Sequence, residues 1–433
     1  MARSKTLTIG AVGDIGFKGS TADAVAQNGF AWPFESLQPI FDQADVLFGN
    51  MESMILPEDY PDEQIDPAGM ISKLDTTPSL MAAGFDIMNL AQNHLLDGGT
   101  IGMFHTARLL KDSGIVVGGV GRTQKQARKL QVIERDGLRI GMLAYCEDNN
   151  WILSARGAGP AYYSEETVLA DVAAARDKVD VLIVSIHGDL EFMETPSTPR
   201  RDSFRRIADA GATLVLGHHP HVPQGIEMRR GRLVAYSLGN CYFAAHSSDY
   251  MKENGPHTGH SFVLLAKVRP GKVVSFERVP FEIRKPPNER PVLLGGARRE
   301  RMLKYFDKLD AACKDDAHVA RVWREFSIKM FDIYLERIRT MPREKVWHDL
   351  IGRLGLVAEN RSWMTELLAA VREDWEKRAT GEDELHRPHY ALTATLERLN
   401  GGAVAPAKAP RARKAPASQA RESRRSRQSR RRG

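Results

Sequence analysis

Apolar, β-branched runs alternate with amphipathic stretches along residues 6–284. The runs are "TLTIGAVGD", "ADVLFGN", "FDIMNLA", "VDVLIVSIHGD" and "ATLVLGHH". Between them lie "FHTARLLKDSG" and "SFRRIADAG", whose apolar residues recur at helical spacing. Continuous apolar strands alternating with helices predict an α/β domain whose strands are buried on both faces. Three segments read instead as hairpins, each with a glycine in the turn: "KLQVIERDGLRIGMLAYC", "GIEMRRGRLVAYSLG" and "FVLLAKVRPGKVVSFERV". The sheets are therefore expected to be mixed.

The breaker-rich stretch "RKPPNERP" ends this pattern. Residues 297–400 then read as helix almost throughout, as in "RVWREFSIKMFDIYLERI" and "WMTELLAAVREDWEKRA", and are expected to form a helical domain or a lid. Residues 401–433 are rich in Ala, Pro, Ser and Arg and almost free of apolar bulk, so they are expected to be disordered.

Charge sharpens that division. Of the net +6, the last 33 residues supply +10, from eleven Lys/Arg against Glu422. The remaining chain is therefore mildly acidic, at 6 − 10 = −4. Runs such as "RRSRQSRRR" suit a polyanion, bound through counterion release, and the absence of aromatics there argues against base stacking. Three widely spaced cysteines, Cys146, Cys241 and Cys313, fit a reducing compartment. No apolar run reaches the roughly eighteen residues of a membrane span, and the N-terminus lacks the pattern of a signal peptide. These features together predict a cytoplasmic protein.

The ends of the apolar runs carry the candidate chemistry. They deliver Asp14; Asn50, Glu52 and Ser53; Asn93, His94 and Asp97; His187, Asp189 and Glu191; His218, His219 and His221; Ser237 and Asn240. Any one of these suits a turn or a helix cap. Six strand ends sending carboxylates, carboxamides and imidazoles to one sheet edge point to a ligand site. Mixed His, carboxylate and carboxamide donors suit Mn²⁺, Fe or Zn²⁺, and the lack of Cys argues against structural zinc. Cys241 stands beside "SLGN", which would bring it near that site, but it reads instead as a small buried residue.

The order "GD … GN-x-E … NH-x-x-D … H-G-x-x-E … GHHPH … SLGN" resembles the CapA family of poly-γ-glutamate capsule synthesis proteins, itself similar to calcineurin-like metallophosphatases. The resemblance spans residues 6–284 and leaves out the helical region and the tail. It implies an α/β/β/α sandwich holding one or two divalent ions between two sheets. By motif, Asp14 and His221 fall on the first ion and Glu52 bridges. Asn93, His187 and His219 fall on the second. His94 stands beside the substrate, oriented by Asp97 one helical turn on, and His218 is left as structural. Metallophosphatases carry a histidine two residues after the first aspartate, whereas this chain has Gly16. The resemblance implies a metal-dependent hydrolase acting on a phosphoester or a γ-glutamyl amide, with a small-molecule or polyglutamate substrate. The competing expectation is a non-catalytic accessory protein of capsule polymer assembly that binds a polyanion.

Overall fold

The computed structural model describes residues 5–147, 157–255, 257–342, 363–369 and 371–372. Two sheets face each other. The larger runs Pro291–Leu293, Lys272–Ile283, His260–Arg269, Leu7–Ile15, Val46–Met51, Ile87–Asn89 and Val116–Gly118, with Asn240–Tyr242 paired to the end of Leu7–Ile15. The smaller runs Ile226–Arg229, Arg232–Ala235, Leu214–His218, Val181–His187, Leu138–Cys146 and Gln131–Arg135. The three segments read as hairpins form antiparallel pairs, two of them at the edges of the smaller sheet and the third one strand in from the edge of the larger. The central strands of each sheet run parallel, so their carboxyl ends point the same way.

Period-2 alternation divides each central strand between two cores. Val181 and Ile183 face the other sheet, with Leu214, Leu216, Ile9 and Phe48. Leu182, Val184 and Ile186 face outward, onto Val168 and Val172 of the helix Glu165–Ala175 and Phe204 and Ile207 of the helix Thr198–Ala210. Both helices start on a serine cap: Ser164 accepts from the Thr167 amide and Ser197 from the Arg200 amide. On the far side, Val25, Leu80, Met103 and Leu110 cover the outer face of the larger sheet from three helices. The layers are thus helix, sheet, sheet, helix, as expected of an α/β/β/α sandwich.

The same alternation builds the site. On the faces between the sheets, the rows read Val46-Phe48-Asn50-Glu52, Ile87-Asn89, Val181-Ile183-Ser185-His187 and Leu214-Leu216-His218. Each row is apolar in the middle of the sandwich and polar at the carboxyl edge. The strand Leu7–Ile15 would break the rule, since Leu7, Ile9 and Ala11 face inward and position 14 is even. Its register against Val46–Met51 slips by one residue between Ala11 and Asp14. That bulge puts Ile15 in the outer core beside Val12 and turns Asp14 toward the site.

Beyond residue 284 the chain stays on the sandwich. Pro291–Leu293 pairs with Lys272–Ile283, and the helix Gly296–Lys314 sends Phe306 and Leu309 into the core between the sheets. In the helix Asp316–Thr340, Val319, Trp323 and Tyr334 form a fourth cluster with Trp363, packed on Leu190 and Met193. The tail, 401–433, lies outside the described residues, as do parts of the stretch 297–400. Among the described residues, no helix is long and apolar enough to cross a membrane.

Close approach fixes the first strand against "SLGN". The Asp14 amide donates to the Gly239 carbonyl at 2.9 Å, and a Cβ on Gly13 would stand 1.8 Å from that oxygen. Gly13→Ala must therefore push two backbones apart. It should cost about 1–3 kcal/mol of stability, read as a lower urea midpoint; an unchanged midpoint would contradict this packing.

Candidate metal centre

The inner rows of both sheets converge where they turn polar. Asp14, Glu52 and His187 are fully buried, His219 and His221 are 1% exposed and Asn93 is 3% exposed. Asn93 Oδ1 lies 2.8 Å from His187 Nε2. Glu52 Oε1 lies 3.6 Å from His187 Nε2 and 3.5 Å from His221 Nε2, while Asp14 Oδ2 lies 3.5 Å from His221 Nδ1. Donor atoms of Glu52, His187 and His219 fall within 4.8 Å of one another, and so do those of Asp14, Glu52 and His221. Glu52 is common to both groups.

Carboxamides hold this set. Asn89 Nδ2 donates to Asn50 Oδ1 at 2.8 Å and sits 3.0 Å from Ser185 Oγ. That fixes Asn50 so that its Nδ2 donates to Asp14 Oδ1 at 2.9 Å and lies 3.2 Å from His187 Nδ1. Asn240 Oδ1 lies 2.9 Å from His221 Nδ1, and its amide donates to the His221 and Thr258 carbonyls. His219 and His221 are held at positive φ, 95° and 58°, and the facing loop has Asp189 at 82° and Phe192 at 63°. Such strain persists only where the surroundings enforce it, and it gathers at functional sites.

Electrostatics show what the cluster lacks. Among the described residues, neither oxygen of Glu52 has a hydrogen-bond partner. Burial, followed by repulsion from Asp14, Glu191 and Asp97, pushes its carboxyl well above the usual carboxylate range. Burial and the neighbouring His219, His218 and His221 rings hold His187 well below the ordinary imidazole value. Burial likewise lowers His221, against the pull of Asp14 and Glu191. Burial also works to raise Asp14, but His218, His221 and the His219 amide outweigh it and keep its carboxyl low. A carboxylate placed beside imidazoles whose cations burial disfavours, as at His187 and His221, is poorly solvated as an anion and well matched to a divalent cation. The residues therefore fit a metal ion.

The other candidates fall around this set. His94 Nδ1 lies 2.7 Å from Asp97 Oδ2, which also accepts from the Met70 amide at 2.7 Å. The pair sits in a tight turn before the helix Gly99–Asp112, not along a helix as the spacing suggested. Both side chains are partly exposed. His218 is fully buried, 3.5 Å from Asp14 Oδ1 and against the Phe48 ring. Cys241 is buried on the opposite side of its strand from Asn240, in the outer core, and burial raises its thiol strongly. Asn89, Ser185 and the supporting role of Asn50 were missed from sequence, although the period-2 rows contain all three. A Cβ on Gly16 would meet Phe243 at 2.7 Å and Met70 at 2.8 Å, so apolar side chains fill the space beside that residue.

Residues 8–245 match the family described as "Bacterial capsule synthesis protein PGA_cap". The chain belongs to the PGA_cap family. It is 28% identical over 249 residues to the capsule biosynthesis protein CapA of Bacillus anthracis, covering 55% of this chain and 60% of that one. With the PGA biosynthesis protein CapA of Bacillus subtilis it shares 26% over 235 residues, or 54% and 62% of the two chains. A Mycobacterium tuberculosis relative, named "Probable polyglutamine synthesis accessory protein", is 26% identical over 275 residues, covering 58% and 70%. The chain thus spans about three fifths of the two CapA proteins. Among solved structures, a hypothetical protein of Thermus thermophilus superposes with TM-score 0.40 at 13% identity, covering 64% of this chain and 99% of its own.

The shifts give a pH signature. A raised Glu52 costs the ion-free fold stability as pH climbs from the ordinary carboxyl range through its raised value. A depressed His187 costs stability as pH falls below the ordinary imidazole value. An ion on Glu52 must displace its proton, so the rise in melting temperature given by a fixed Mn²⁺ concentration should grow from about pH 5.5 to about pH 8. An equal rise at every pH would contradict the role of Glu52.

Proposed function

We propose that the chain is a metal-dependent hydrolase of the CapA type, acting on a phosphoester or a γ-glutamyl amide in a small-molecule or polyglutamate substrate. The observation that carries this is the buried Glu52 carboxylate, without a hydrogen bond among the described residues and shared by two donor groups. Asp14, Glu52 and His221 would hold one ion and Glu52, Asn93, His187 and His219 a second, as Mn²⁺, Fe or Zn²⁺. Ions in such a site lower the pKa of bound water to near neutrality and so supply hydroxide. The chain's own part is orientation and proton transfer. Asn50 and Asn240 fix Asp14 and His221. Asp97 holds His94 through Nδ1, which leaves Nε2 to protonate the leaving oxygen or nitrogen.

The second reading is a non-catalytic accessory protein of capsule polymer assembly. Gly16 and the printed name of the mycobacterial relative favour it. In either case the arginine-rich segment 401–433 would contact a polyanion such as the polymer.

The two readings part on turnover. The Mn²⁺-loaded chain should hydrolyse a nitrophenyl phosphate ester or a γ-glutamyl nitroanilide, and chelator should abolish it. His94→Asn should keep its metal and lose about 10²–10⁴-fold in rate. The double variant His219→Ala, His221→Ala should lose the metal itself. A metal-loaded chain that turns over none of these substrates would favour the accessory reading.

A further inference from the structure

Glu191 stands at a strand end and closes the "H-G-x-x-E" stretch, with no role assigned to it from sequence. In the structure its Oε1 lies 3.7 Å from His221 Nε2. Donor atoms of Glu191, His219 and His221 all fall within 4.8 Å, a third group that overlaps the two built on Glu52. Its side chain is 16% exposed, so it closes the solvent side of the buried cluster.

The turn that carries Glu191 is held from every side. Leu190 and Met193, which flank it, pack on the Trp323 cluster of the helix Asp316–Thr340. The Trp323 indole donates to the Thr195 and Pro196 carbonyls at 3.1 and 2.8 Å. The Phe192 amide donates to the Pro220 carbonyl at 2.8 Å, between His219 and His221, and the Phe192 ring packs on His221. The Gln224 amide donates to the Met193 carbonyl at 2.6 Å. The Tyr250 hydroxyl donates to Glu191 Oε2, leaving Oε1 directed at His221. Phe192 accepts φ of 63° in this turn, which a bulky residue does only under constraint.

We propose that Glu191 is a ligand of the ion held by Asp14, Glu52 and His221, supplying the donor that Gly16 does not. This rests on the metal-centre reading above. It explains why Phe243 and Met70 can crowd Gly16 without emptying that side of the centre: the ligand comes from the 188–192 turn instead of from the first strand. Three carboxylates and one imidazole make that position oxygen-rich, which favours Mn²⁺ or Fe over Zn²⁺ there, whereas the Asn93, His187 and His219 side is richer in nitrogen. Tyr250 is a positioning residue for the Glu191 carboxylate.

The test uses the full chain, stripped with chelator and titrated with Mn²⁺ by calorimetry, with electron paramagnetic resonance on the loaded samples. The wild-type chain should take up two ions and give the signal of a coupled pair. Glu191→Gln should keep one ion at unchanged affinity, bind the other at least about tenfold more weakly and give an isolated-ion signal. Tyr250→Phe should weaken the same ion to a smaller degree. Two ions at unchanged affinity in Glu191→Gln would overturn the proposal and leave the metal centre standing. A single wild-type ion that Glu191→Gln does not weaken would overturn it equally, and one that it does weaken would support it. No Mn²⁺ uptake by the wild type would defeat this proposal and the metal centre together.

Discussion

A carboxylate taken out of water needs hydrogen bonds or a counterion, because its lost hydration costs several kcal/mol. Glu52 is fully buried and has no hydrogen bond among the described residues, and its neighbours include His187 and His221, whose cations burial disfavours, and acids that repel it. Without a cation the carboxyl keeps its proton instead, which is what its raised value records. The surrounding structure keeps it in place regardless: two sheets converge on it, carboxamides lock its neighbours, and two loops carry positive φ to reach it. A fold that holds a carboxyl there at such a cost fits a site made for a cation.

The route from sequence to that arrangement is short where period 2 governs. A buried strand writes its inner face on every second residue, so Phe48-Asn50-Glu52 and Ile183-Ser185-His187 announce both the core and the point where it becomes polar. The apolar runs and their polar ends are why an α/β domain with mixed sheets could be read from the chain and residues such as Glu52 and His187 singled out at strand ends; the α/β/β/α layering came only from the resemblance. The same rows also hold Asn89 and Ser185. These lie one step inside the strand ends and support the donors from behind, where attention to the ends alone passes them over.

What the chain did not disclose depends on breaks in regularity or on distant contacts. The bulge between Ala11 and Asp14 has no signature in "IGAVGDIG", yet without it the aspartate would face the outer core. The turn holding His94 and Asp97 was mistaken for helix because a three-residue spacing suits both. Glu191 gains its position from Trp323, Tyr250 and Pro220, which are 132, 59 and 29 residues away in sequence, and no local pattern encodes that. Through the same contacts the helix Asp316–Thr340 braces the turn beside the centre, by way of Leu190 and Met193.

A cation at Glu52 would be located directly by anomalous diffraction. Crystals of the full chain grown with Mn²⁺ should be measured on both sides of the manganese absorption edge. An anomalous peak is expected about 2.0–2.3 Å from a Glu52 carboxylate oxygen, flanked by nitrogens of His221 or of His187 and His219. A well-ordered site in which Glu52 shows no anomalous peak, and instead accepts hydrogen bonds from water or protein, would contradict a cation there.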